Sequence, residues 1–168
     1  MVRCAEGPHR LSSRVATRPS LRILFLNHNI VRRGGTFYRA YHAARYLVRR
    51  GHTVTLLTIS AERRWGFRRE VSEGVEIIET PDLLWGVGRS GWDLWDAISR
   101  VMFLRGRQWD VVHAWDCRPA VILPALYARG QSREVSGKLF IDWGPGKLAW
   151  IQYAEPNNTT GKWSTLPV

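Results

Sequence analysis

A chain of 168 residues suits one folded domain of about 100 to 200 residues and leaves no room for a second full one. Its 45% hydrophobic content, with 9 Trp and 5 Phe, supports a packed interior and excludes general disorder. The 25 Lys and Arg outnumber 14 Asp and Glu to give +11, which favours polyanions, anionic headgroups or phosphorylated small molecules without selecting among them. No apolar run approaches the roughly 20 residues of a spanning helix, so any membrane contact is expected to be peripheral.

Residues 1–20 carry Arg3, Arg10, Arg14 and Arg18 against Glu6, while Pro8 and Pro19 interrupt the amphipathic helix a transit peptide needs; they read as a disordered basic leader. Cys4 and Cys117 form no CxxC pattern, which predicts free thiols, no metal site and a reducing cytoplasm. Arg22 to Asn29 contains Ile23-Leu24-Phe25-Leu26, apolar on both faces, as a central parallel strand requires. Thr36 to Arg50 places Phe37, Ala40, Tyr41, Ala44, Leu47 and Val48 at helical spacing and meets Gly51 where a C-terminal cap belongs.

His52 to Ile59 and Gly74 to Thr80 read as the second and third strands, separated by a charged excursion from Glu62 to Glu70. Ser90-Gly91-Trp92-Asp93 resembles a capping box, and Leu94, Ile98, Val101 and Met102 continue as the apolar face of a helix ending near Gly106. Trp109 to Ala114 predicts a fourth strand, Pro119 to Ala128 a helix with proline in its first turn, and Lys138 to Trp143 a fifth strand. This alternation predicts an α/β fold, a Rossmann-like doubly wound parallel sheet in one domain over 21–143, with 144–168 an aperiodic tail.

Two constellations fall at the C-terminal ends of predicted strands, where open α/β sheets bind ligands. Arg32-Arg33-Gly34-Gly35-Thr36 joins the first strand to a helix N-terminus, where glycines admit a phosphate or sugar to the backbone and arginines neutralise charge. It matches neither GxGxxG nor GxxxxGK[ST], which demotes dinucleotide and P-loop readings. His113 and Asp116 end the fourth strand on the same edge, the histidine suited to proton transfer or to bonding a sugar hydroxyl and the aspartate to orienting it; a buried structural histidine is the competing reading. His28 faces that edge with the same ambiguity.

Arg63 to Arg69 interleaves cations with Trp65 and Phe67, and Leu83 to Val87 forms an apolar loop; the first reads as a solvated loop, the second as packing on the domain's flank. No RNA-binding or helix-turn-helix pattern accompanies them, so no nucleic-acid partner is expected.

With Arg22 to Leu26, Arg33-Gly34-Gly35-Thr36, the helix ending Leu47 to Leu57, Gly74 to Ile78 and Asp110 to Ala114 in order, residues 21 to about 143 resemble the N-terminal domain of a family 4 glycosyltransferase of GT-B architecture. That resemblance implies one half of a two-domain enzyme which moves a hexosyl group from a nucleotide-sugar donor to a glycan or lipid acceptor, retaining configuration without a metal or other cofactor. It assigns Arg33, Gly34, Gly35 and Thr36 to the donor phosphate or acceptor and places His113 and Asp116 in the reaction cleft. The expected location is the cytoplasm, either free or in peripheral contact with the inner membrane face. Family members often carry a second histidine where Trp115 stands, and the donor-binding half has no counterpart in this sequence. The expectation is therefore a truncated product, or half of a split enzyme, with doubtful turnover alone; the alternative is a non-catalytic module for phosphorylated or lipid-linked glycans or a partner chain.

Overall fold

The computed structural model describes residues 19–83, 91–131 and 138–142. The leader up to residue 18, most of the Leu83–Val87 loop, Ser90 and the 144–168 tail lie outside the described residues. The elements are β1 (Arg22–Ile30), α1 (Gly35–Arg49), β2 (Thr53–Ile59), β3 (Arg68–Ser72), β4 (Val75–Thr80), α2 (Leu94–Leu104), β5 (Val111–Ala114), α3 (Pro119–Gly130) and β6 (Lys138–Ile141).

Four consecutive apolar side chains, Ile23 to Leu26, can all be buried only where both faces of a strand are covered. β1 has that place, in a sheet of order β3-β4-β2-β1-β5-β6, with β2 and β5 hydrogen-bonded in parallel to its two edges. Alternate residues then divide between two layers. Ile23 and Phe25 join Leu56 and Ile77 against Phe37, Ala40 and Ala44 of α1. Leu24 and Leu26 join Leu57 and Ile78 against Leu104 of α2 and Val121, Ala125 and Ala128 of α3. The fold is thus the expected α/β, Rossmann-like, doubly wound domain.

Gly51, at φ 87°, closes α1 by donating its N–H to Val48 O at 2.9 Å and turns the chain directly into β2. Pro124 is buried inside α3, which continues past it.

The charged excursion before β4 ends in a strand: its last residues, from Arg68, belong to β3, while 62–67 stay a loop. β3 pairs antiparallel with β4, so one edge of the otherwise parallel sheet is reversed. Its hairpin turn is Glu73-Gly74, with φ of 49° and 81°, the left-handed pair that matches strand twist. Apolar alternation could not reveal β3 because its partners are ionic: Arg69 Nε lies 2.7 Å from Glu76 Oε1 and Arg68 Nε 3.9 Å from Glu79 Oε1. Charged residues on an exposed edge also oppose pairing with a second sheet.

α2 reverses a second expectation. Its N-cap is Asp93, whose Oδ1 accepts from Trp95 N at 2.8 Å, three residues after the expected Ser90. The apolar residues Leu94, Ile98 and Met102 face outward, while Asp96 and Arg100 are wholly buried. Arg100 Nε donates to Asp96 Oδ1 at 2.8 Å and to Thr80 Oγ1 at 3.2 Å, and Nη1 donates to Asn27 O at 2.8 Å. Burial pushes the Asp96 carboxyl up, and the Arg100 charge opposes that shift. Bonds to strands β1 and β4 fix which face of the helix turns inward, since these groups cannot be buried anywhere else without losing partners.

Removing one member of this pair leaves the other charged, buried and unpaired. Asp96→Ala is expected to cost about 3–5 kcal/mol in urea unfolding, and Asp96→Leu with Arg100→Met less than that single change.

Candidate functional site

From β1 the chain moves through α1 to β2 on one side, and it reaches β5 on the other side only after α2 on the opposite layer. Between β1 and β5 the connections diverge, and a crevice opens at the strands' C-terminal ends. A cavity of about 230 Å³ lies there, lined by His28, Thr36, Arg39, Trp115, Asp116, Arg118 and Asp142. That is below the roughly 300 Å³ at which pockets for drug-sized ligands begin, so it suits one ring-sized group.

Each side chain has a local cause. β1 breaks register with β2 between Leu26 and Ile30, and Asn27 Oδ1 accepts from Asn29 N at 2.6 Å, a kink that sets His28 at the cleft. Trp115 N donates to Leu26 O at 2.8 Å, and Asp142 N to Ala114 O at 2.8 Å, which seats both residues just past their strands. Asp116 Oδ1 accepts from Cys117 N at 2.6 Å and Arg118 N at 3.1 Å, an aspartate turn leading into α3. Thr36 and Arg39 share one face of α1, where the Arg39 guanidinium bonds Asp142 and lies 5.5 Å above the Trp115 ring.

Charges in the cleft balance. Arg39 is paired with Asp142, and Arg118 Nε lies 3.5 Å from Asp116 Oδ2. His28 Nδ1 lies 3.2 Å from the same oxygen without the alignment of a hydrogen bond. Burial, with Arg118 close by, lowers the His28 pKa from 6.5 to about 4, so the ring is neutral at pH 7. His28 Nδ1 and Trp115 Nε1 are buried there without a hydrogen-bond partner. Burial and the Asp116 carboxylate push the neighbouring Cys117 thiol up, which disfavours its reactive thiolate. Among the described residues, no three metal-binding side chains converge.

Of the residues singled out in the sequence, Asp116, Thr36 and His28 line this cavity. His113 does not. Its ring stacks on Trp115 with centroids 4.3 Å apart and meets Phe25 edge-on, which makes it part of the layer that supports the Trp115 indole. Burial lowers its pKa from 6.5 to about 4 despite the Asp142 carboxylate. Strand alternation gives the reason: Ala114 takes one face and His113 the other, while the cleft begins one residue past the strand.

The glycine pair separates into two roles. Gly34 has φ 78°, and a Cβ there would meet Asn29 Nδ2 at 2.5 Å, so it is needed for the chain path. Gly35 faces open space, and α1 starts with neither a side-chain cap nor an acidic residue in its first turn. Arg33 donates its amide to Ile30 O at 3.0 Å and keeps its side chain exposed. Arg39, Arg118 and Asp142 were missed in the sequence. The i,i+3 spacing of Thr36 and Arg39, and an aspartate ending an apolar strand at Asp142, were the available signals.

Gly34→Ala is expected to lose about 1–3 kcal/mol of stability in denaturant titration, and Gly35→Ala to be neutral or to gain up to about 1 kcal/mol. Because the unfolded chain takes up protons at His28 and His113 near pH 6.5 that the folded chain refuses until about 4, stability should be flat above that range and fall as pH drops through it. Each histidine contributes a slope of up to about 1.4 kcal/mol per pH unit, and His28→Gln or His113→Gln should flatten the profile measured by unfolding at stepped pH.

No curated protein matches the sequence. Residues 33–135, more than half of the chain, match the family model described as Glycosyltransferase Family 4, a span that runs from the glycine loop through Asp116 and α3. With a Rossmann-like domain whose cleft opens beside that loop, the chain belongs to glycosyltransferase family 4, as an N-terminal domain of that family.

Proposed function

We propose that this domain is the acceptor-side half of a transferase that moves a hexosyl group from a nucleotide sugar to a hydroxyl of a glycan or lipid acceptor, with retention and without a metal. The observation that carries this reading is the charge-balanced cleft beside an uncapped helix start. In a chain of net +11, a cleft with two cations, two carboxylates and a neutral histidine favours an uncharged polyhydroxyl group over a polyanion. Carboxylates accept from sugar hydroxyls, arginines and the Thr36 hydroxyl donate to them, and the Trp115 indole offers an apolar face.

The negative part of the donor belongs at the other side of the same loop. There the Gly35 and Thr36 amides at the start of α1, with Arg33 nearby, suit a diphosphate. In transfer, the acceptor oxygen bonds to the anomeric carbon while the bond from that carbon to the phosphate oxygen breaks, and the acceptor proton departs with the diphosphate. Asp116 Oδ2 orients the acceptor hydroxyl for this step, and the helix start stabilises the charge growing on the leaving group. His28, held neutral, bonds the acceptor without adding a charge. The role expected of His113 passes to His28, with His113 supporting Trp115. The remaining donor contacts come from a second GT-B half.

The test is transfer or hydrolysis across a panel of nucleotide sugars, by the chain alone and co-expressed with a donor-binding domain. Activity in the assembled enzyme should fall about 100-fold or more in Asp116→Asn with its far-UV spectrum unchanged. Folded halves inactive toward every donor overturn the transferase reading, and saccharide binding without turnover makes the domain a glycan-binding module.

A further inference from the structure

The segment Ser90-Gly91-Trp92-Asp93 resembles a capping box in sequence, but Asp93 alone caps α2, and Gly91 has a different part. Gly91 is buried at φ 83°, in the left-handed region that glycine enters without strain. A Cβ built on it would lie 2.9 Å from His28 Cβ, 2.9 Å from Arg118 Cδ and 3.2 Å from Arg118 Cβ. Arg118 Cδ can swing away. The two Cβ atoms are fixed to their backbones, so a side chain at residue 91 fits only if the end of β1 or the turn before α3 moves. By contrast, a Cβ on Gly51, at φ 87°, would meet nothing within 4 Å.

The two side chains that Gly91 touches come from different elements and converge on one atom. His28 Nδ1 lies 3.2 Å, and Arg118 Nε 3.5 Å, from Asp116 Oδ2, the oxygen assigned above to the acceptor hydroxyl. Gly91 is itself anchored on both sides. Its carbonyl accepts from Ala120 N at 3.1 Å, in the first turn of α3. Two residues on, buried Asp93 accepts from Leu83 N at 2.7 Å and Trp95 N at 2.8 Å. Further along α2, Arg100 bonds Asn27 O, the carbonyl next to His28. The segment entering α2 is thus a fixed backstop against which the end of β1 and the start of α3 are set.

We infer that Gly91 is a positioning residue for the cleft: its missing side chain lets His28 and Arg118 close on the same Asp116 oxygen. Its part in transfer rests on the role of Asp116 given above, whereas its hold on His28 does not. Besides burial, the charged groups acting on the His28 ring are Arg118, Asp116 and Arg100. Displacing His28 and Arg118 opens the ring to water and takes one guanidinium away from it. Both changes raise the histidine pKa from about 4 toward its ordinary 6.5.

Proton NMR titration of the full chain follows the His28 ring, assigned by the signals that His28→Gln removes. Gly91→Ala is compared with Gly51→Ala, which carries similar backbone strain but meets open space. In Gly91→Ala the His28 midpoint should rise by at least about one pH unit, and in Gly51→Ala it should stay at the wild-type value. Gly91→Asn, whose side chain tolerates a left-handed φ better, should give the same rise where Gly91→Ala does not fold. In the assembled enzyme, with the donor that the nucleotide-sugar panel identifies, Gly91→Ala should lower kcat at least about tenfold and Gly51→Ala less than about twofold. An unmoved midpoint in a folded Gly91 variant overturns the inference, as does an equal rise in Gly51→Ala. Both Gly91 variants unfolded while Gly51→Ala folds also overturns it, since the glycine then serves the fold alone. Unchanged kcat with a raised midpoint removes Gly91 from the transfer step. If no donor is turned over, the transferase reading fails and the His28 titration still decides this one.

Discussion

The central strand β1 is hydrogen-bonded on both edges and covered on both faces, and the remainder of the domain is arranged by that constraint. Parallel neighbours require crossovers, crossovers require helices, and a strand apolar on both faces requires one helical layer on each side. Since the connections after β1 and β5 run to opposite sides, no described segment between them closes over the C-terminal end of β1. The cleft is a consequence of topology before any side chain is considered, and it is lined by His28 near the end of β1, Thr36 and Arg39 of α1, and residues just past β5 and β6.

Within that cleft the side chains are held by their neighbours. Trp115 rests on the His113 ring and under the Arg39 guanidinium, Arg39 is tied to Asp142, and Asp116 is fixed by two backbone amides of the turn that begins α3. Such a site loses little freedom when a ligand enters, and its charges are already paired within the cleft.

α2 links the interior to the outer surface. The Arg100 bonds to Asn27 O and Thr80 Oγ1 tie the helix to β1 and β4, and the cost of exposing or unpairing Arg100 and Asp96 sets the rotation of the helix about its axis. Its apolar stripe is turned outward as a result. Asn27 precedes His28, so the same buried network supports the backbone at the edge of the cleft.

The sequence by itself determined the elements that rest on periodicity and backbone chemistry: the doubly apolar β1, the amphipathic α1 with its Gly51 stop, and the glycine loop at a helix start. These are local, because side-chain spacing and glycine's freedom at positive φ act within a few residues. Tertiary structure decided what depended on partners distant in the chain. β3 is a strand because Glu76 and Glu79 meet Arg69 and Arg68, Asp142 reaches the cleft because β6 lies beside β5, and His113 leaves it because Trp115 covers its ring. α2 shows the difference most plainly: its apolar spacing was legible, but which face turns inward was settled by hydrogen bonds to Asn27 and Thr80, residues 73 and 20 positions from Arg100.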